Sequence, residues 1–233
     1  MLKVLSVSNI AVSRTMIIKK EILDILGADI GDEILFILDQ NGIVNIRKFK
    51  GNVILEKDEK YISSSHIYKR YLSRAITVSS DVRKIVNADV GDQILILDMN
   101  GNIILRNNVI LGECSQNIFN KNIGALIIEL TSFHIQSGYT TLPKEIIEIL
   151  GPYTRNKVVL SLDKYGNVII SNDIGENLLV QESVLVSGEN GFKIHLIKST
   201  QDILGNTTKI LWFFDEEGNI IIKNNLLPDS CIL

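Results

Sequence analysis

The chain is short of most features that would disclose a chemistry at once. It has two cysteines, three prolines and 6% aromatic residues among 233. No apolar run approaches the roughly 20 residues of a membrane-spanning helix, because Lys, Asn or Asp interrupts each one. Cys114 and Cys231 stand 117 positions apart with no metal or redox spacing, so inert thiols in a reduced, intracellular protein are expected. Within Gly112-Glu113-Cys114 no basic neighbour favours a thiolate. Three prolines exclude a long rigid linker. Positive charge is not in excess either: 24 Lys plus Arg face 27 Asp plus Glu, a net charge of −3. That balance excludes a protein that coats nucleic acid through bulk charge and leaves only a local basic patch. The start, residues 1–13, imitates a signal peptide through Lys3 and the Ala11-Val12-Ser13 step. Asn9 and three serines dilute it, and the segment is expected to belong to the fold.

Against these absences stands a 45% apolar composition, ample for a core, and a clear internal repeat. Ser13-Arg14-Thr15-Met16-Ile17 recurs sixty positions later as Ser73-Arg74-Ala75-Ile76-Thr77, and Ala28-Asp29-Ile30-Gly31-Asp32 as Ala88-Asp89-Val90-Gly91-Asp92. A third copy starts near Ala125, and a diverged fourth ends in Ile203-Leu204-Gly205. Each copy closes with an Xaa-Gly pair between β-rich runs, at Asn41-Gly42, Asn100-Gly101, Tyr165-Gly166 and Glu217-Gly218, which reads as a hairpin. Within a copy the order is strand, loop, strand, short helix, turn, strand, glycine turn, strand. A unit of about 45 residues is near the lower limit of independent folding, so each copy is expected to close its core against another.

Thr141-Leu142-Pro143-Lys144-Glu145-Ile146 followed by Leu150-Gly151, together with the Arg and hairpin of copies one and two, resembles the SpoVT/AbrB-like swapped-hairpin family. The resemblance implies a mainly β fold with short helices. It implies two swapped-hairpin, AbrB-like pseudo-dimeric barrels from four internal repeats: residues 1–114 (copies one and two) and 122–233 (copies three and four), tethered near 111–124. Pairing of copies between chains is the rival arrangement. The resemblance further implies double-stranded DNA as partner, bound by the Arg after the small residue and by a basic pair on the short helix. Arg14 and Arg74 occupy the first position, and Arg83-Lys84 the second. The helix pair is Leu23-Asp24 in copy one, Ile147-Glu148 in copy three and Gln201-Asp202 in copy four, while Gly138 and Phe192 replace the Arg.

Charge distribution points the same way. Residues 1–116 hold 15 Lys plus Arg and 14 acids, whereas 117–233 hold 9 and 13. The window 61–84 contains Lys69, Arg70, Arg74, Arg83 and Lys84 against Asp81 alone, interleaved with Tyr61, Tyr68 and Tyr71. Candidate DNA-binding residues are therefore Arg14, Lys69, Arg70, Arg74, Arg83 and Lys84, touching phosphate in the main. The tyrosines are expected to pack across strands.

No clustered catalytic groups, Gly-rich phosphate loop or nucleophile elbow is present, so no enzyme, cofactor or metal is expected. His66, His134 and His195 lie in different repeats, none with a second ligand at helical or strand spacing. The Asp-Met-Asn-Gly stretch at 98–101 imitates a calcium loop without its downstream Glu and reads as a hairpin. Leu211-Trp212-Phe213-Phe214 is expected to be a strand buried on both faces, or else in part an association patch of the second barrel, for a homo-oligomer or protein partner. The function expected is a cytoplasmic, DNA-binding transcriptional regulator or chromatin-architectural protein without a membrane segment. The alternative is a non-catalytic protein-interaction adaptor or structural subunit that has lost DNA binding.

Overall fold

In the first copy the Ile- and Leu-rich runs become β1 (Leu2–Asn9), β2 (Thr15–Ile18), β3 (Glu33–Leu38) and β4 (Val44–Lys48), with α1 (Lys20–Leu26) between β2 and β3. The second copy supplies β5 (Lys60–His66), β6 (Tyr68–Arg70), β7 (Ser73–Thr77), α2 (Ser80–Ile85), β8 (Gln93–Met99) and β9 (Asn102–Asn107). The computed structural model describes residues 2–109, 113–121, 123–151, 157–173, 175–188, 191–205 and 207–231. The helices are short because each is stopped early. Gly27, at φ 63°, donates its N–H to Asp24 and ends α1. α2 begins where the Ser79 hydroxyl accepts the Val82 N–H, and a positive-φ Asn87 follows its end.

The copies of the first unit pair with each other. β1 lies antiparallel to β8, β3 to β5, β4 to β9 and β2 to β7. In β2 and β7, Met16 faces Ile76, its counterpart at the sixty-residue offset, while Thr15 faces Thr77 and Ile17 faces Ala75. In β4 and β9, Asn45 faces Ile104, again equivalent positions when the two Asn-Gly pairs are superposed. The loops obey the same rule. The Ile10 N–H bonds to the Asp92 carbonyl at 2.9 Å, and the Ile67 N–H to the Asp32 carbonyl at 2.9 Å. A local two-fold therefore relates copy one to copy two, and Ile18, Ile22, Phe36, Ile76, Val82 and Ile96 from both copies share one core.

The second unit runs α3 (Glu113–Phe119), β10 (Ala125–His134), β11 (Tyr139–Thr141), α4 (Lys144–Leu150), β12 (Lys157–Leu162), β13 (Val168–Ser171), β14 (Leu178–Val184), β15 (Val186–Gly188), β16 (Gly191–His195), α5 (Lys198–Ile203), β17 (Lys209–Asp215) and β18 (Ile220–Asn224). β10 pairs with β17, β12 with β14, β13 with β18 and β11 with β16. Ile169 faces Ile221, which are equivalent when Tyr165-Gly166 is set on Glu217-Gly218, so this unit too pairs copy against copy. The fold is thus mainly β with short helices, and its sheet is a nearly closed barrel. Among the described residues no helix is long and apolar enough to cross a membrane.

Two expectations change. First, the division falls at Met1–Asn108 and Val109–Cys231 rather than at 114 and 122. The expected tether near 111–124 contains α3, which belongs to the second unit because Phe119 packs edge-to-face on Phe213 at 5.0 Å; Leu111, Gly112 and Asn122 lie outside the described residues. Second, Cys114 and Cys231 are no inert thiols. α3 and the 3₁₀ turn Asp229–Cys231 bring their Cα atoms to 4.8 Å, and they form a disulfide. The aromatic strand, in contrast, is buried on both faces as expected. Trp212 and Phe213 are both fully buried, Trp212 donating from Nε1 to the Thr131 hydroxyl at 2.8 Å and Phe213 filling the opposite face against α3.

The four hairpins also differ from one another. Met99 pairs with Asn102, leaving a two-residue turn in which Asn100 (φ 54°) and Gly101 (φ 89°) are both left-handed. At the other three sites an Asp opens a longer loop. The Asp39, Asp163 and Asp215 carboxylates accept N–H groups of the loop, and only the glycine has positive φ. Asp215 is fully buried there and bonded by Lys121 at 3.0 Å, with Glu217 at 2.9 Å from the same ammonium. Burial opposes the charge on Lys121, but the hydrogen bonds to Glu217 and Asp215 outweigh it and raise its pKa.

Replacing Asn100-Gly101 by Val-Val should lower stability by about 1–3 kcal/mol in a denaturant titration, whereas Asn41→Val should leave the midpoint nearly unchanged. A fragment of residues 1–108 should fold cooperatively as a monomer. One ending near Gly51 should not, because β1, β2 and β4 would lack their partners in copy two. Circular dichroism melting of both fragments checks this.

Candidate nucleic-acid interface

All six expected cations lie on or beside one small sheet, β2–β7–β6. Arg14 occupies the tight turn before β2, with φ 61° and an exposed side chain; its carbonyl accepts the Val78 N–H at 2.8 Å, which brings it to the start of α2. The corresponding turn of copy two is three residues longer and rises as the β6–β7 hairpin. Its tip is Tyr71 and Leu72, 89% and 98% exposed, so packing across strands does not account for Tyr71. Lys69 and Arg74 face each other across this hairpin. Arg70 donates to the Thr15 hydroxyl at 2.7 Å and so ties the hairpin to β2 beside Arg14. After β7 the chain enters α2, which carries Arg83 and the exposed Lys84.

The structure separates these cations into two groups that the sequence treats alike. Arg74 is half-buried, with Nε 3.6 Å from the Asp29 carboxylate. Arg83 is more buried still and is bonded to Asp89. Asp29 and Asp89 are equivalent members of the repeated Ala-Asp-x-Gly-Asp turn, held alike in both copies. The Asp32 and Asp92 carboxylates accept the N–H of Asp29 and Asp89, and each of these turns back on the next residue's N–H. By the two-fold, Asp89 is to Arg14 what Asp29 is to Arg74. Copy two has Arg83 on its helix where copy one has Leu23, and Arg83 occupies Asp89. Arg14 is left without an acid partner among the described residues, as are Lys69 and Lys84.

Elsewhere in the first unit, carboxylates are similarly engaged. A hydrogen bond from Lys48 holds Asp32 below its usual pKa, aided by the Asp29 N–H. Arg47 does the same for Glu59 against the opposing effect of burial. The Lys48–Asp32 pair at the surface contributes little stability, but both pairs fix which cations remain open. The basic window of the sequence falls on β6, β7 and α2, and its internal neutralisation is not visible in residue order. The acids responsible sit in the duplicated Ala-Asp-x-Gly-Asp turn, which reads as turn chemistry until the strands place it beside Arg74 and Arg83.

In the second unit the corresponding sheet is β11–β16–β15, where Gly138 precedes β11. Among the described residues no group of three His, Cys, Asp or Glu is placed to hold a metal ion. No family model, curated protein or solved structure matches the chain.

Asp89→Asn should free Arg83 and, if this face meets duplex DNA, raise the affinity by about three- to tenfold at low salt, since each added phosphate contact releases counterions. The cost in stability should stay below about 1 kcal/mol. Fluorescence anisotropy and thermal melting of the same variant measure the two effects.

Proposed function

We propose that the first unit binds the phosphate backbone of double-stranded DNA, as a non-catalytic transcriptional regulator or chromatin-architectural protein. The observation that carries this reading is the grouping of Arg14, Lys69, Arg70 and Lys84 around one three-stranded sheet and the helix that follows it. Arg14, Lys69 and Lys84 are exposed and unpaired among the described residues. Three such cations around one small sheet and the helix after it make a local electrostatic footprint on a chain whose net charge is −3. Arg70, Arg74 and Arg83 position the surface and reach phosphate only by exchanging an internal partner.

The swapped-hairpin reading supports this function. Equivalent positions Met16 and Ile76, Asn45 and Ile104, and Ile169 and Ile221 face one another. That is the arrangement expected if two AbrB-like copies interlock within one chain as separate chains do in the family. A DNA-binding role puts the protein in the cytoplasm. There the Cys114–Cys231 bond calls for a host whose intracellular proteins keep disulfides, as those of hyperthermophiles do. The neutralisation of Arg74 and Arg83 by Asp29 and Asp89 favours the second reading, an interaction adaptor that no longer binds DNA.

Anisotropy with generic duplex DNA between about 50 and 200 mM salt separates the two. The parent should bind with a steep salt dependence. Arg14→Ala, Lys69→Ala and Lys84→Ala should each weaken binding to all sequences alike and lower the salt slope by about one. A parent that shows no binding at the lowest salt leaves the adaptor reading.

A further inference from the structure

Two of the three histidines that look isolated in the sequence, His134 and His195, flank one tyrosine in the second unit. Residues directly opposite in neighbouring strands share a face of the sheet, as do alternate residues along one strand. Tyr139 faces His134 on β10 and His195 on β16. Two residues along, Thr141 faces Lys193, which faces Val186 on β15. Both rows therefore lie on one face, and over them opens a groove of about 400 Å³.

The polar side chains lining the groove can all donate a hydrogen bond and none is a carboxylate, although the Thr140 hydroxyl is engaged by Thr131 and Ser132. Lys193 supplies the charge, His134 an imidazole, and Ser137, Tyr139, Thr141 and Ser187 hydroxyls. Lys193 is half-buried and has no acid partner among the described residues. A cation partly withdrawn from water without a counter-ion is costly unless an anion joins it. The lining also departs from the first unit at an informative place. Gly138 stands where copies one and two have Arg14 and Arg74, and a Cβ there would lie 2.6 Å from His195 Nε2. The missing side chain makes room for the His195 ring, which also packs against Tyr139 with centroids 5.1 Å apart.

We propose that this groove is a binding site for a phosphate group, taken as inorganic phosphate or as the phosphomonoester of a small molecule. Lys193 is the charge partner, and Tyr139, Thr141 and His134 are the donors. A tetrahedral anion suits this set better than a carboxylate, because donors on three strands surround more acceptor positions than two oxygens offer. The site is independent of the DNA surface of the first unit.

The full chain should be titrated with sodium phosphate at constant ionic strength while the imidazole resonances are followed. Those of His134 and His195 should shift saturably, with a midpoint on the order of 1–10 mM, and that of His66 should not move. Lys193→Met should weaken binding about tenfold, while Lys193→Arg, which keeps the charge, should bind nearly as the parent does. Glycerol 2-phosphate binding more tightly than phosphate marks an organic ligand, and equal midpoints mark the free ion. The Arg14→Ala, Lys69→Ala, Lys84→Ala triple variant should keep the shift. Its loss there, its absence in the parent, or an unchanged midpoint in a folded Lys193→Met protein overturns the proposal.

Discussion

Backbone pairing between one copy and the next is the constraint on which everything else in this protein rests. β1, β2 and β4 find their partners in copy two, and β10, β12 and β13 find theirs in copy four. A single copy has too little apolar surface to offset the entropy of ordering it, and its unpaired strands would expose rows of N–H and C=O groups. Two copies solve both problems together. Joining them in one chain makes the encounter intramolecular, which replaces a concentration-dependent association by a modest loop-closure cost.

Covalent joining also frees the two sides of the two-fold to differ. In an assembly of identical chains, a change at the Arg position would appear twice. Here Arg74 is held by Asp29, whereas Arg14 is left open because Arg83 has taken Asp89. The difference comes from one helix position, Leu23 in copy one and Arg83 in copy two. In the second unit the divergence goes further. Gly138 removes a side chain altogether and His195 uses the space. The same three-stranded element thus presents guanidinium groups in one unit and a hydroxyl- and imidazole-lined groove in the other.

Internal carboxylates decide which cations of the basic surface stay open. An aspartate whose carboxylate accepts the next residue's N–H, and whose own N–H is held by a second aspartate, is a pre-oriented anion that loses little side-chain entropy on meeting Arg. Any external anion would have to displace it or settle for the cations it leaves uncovered. A count of charges cannot reveal this, since the formal net charge is the same whether Asp29 and Asp89 touch arginine or water.

What could be read from residue order is what depends on local pattern. The β-rich runs, the helices closed by glycine, the four Asp- and Gly-marked hairpins and the duplication all follow from spacing, because period and turn chemistry act over a few residues. The mainly β class and the basic window at β6, β7 and α2 were legible for that reason. What depended on distant segments was not. Cys114 met Cys231 across 117 positions, Trp212 found Thr131 across 81, and His134, Tyr139 and His195 formed one row from three strands. The type of each hairpin turn was also decided late, since an Asp side chain captures a loop N–H at all four sites and yet only Asn100-Gly101 closes as a two-residue turn. Such pairings are set by strand register, and register is fixed only when apolar faces from two copies close on a common core.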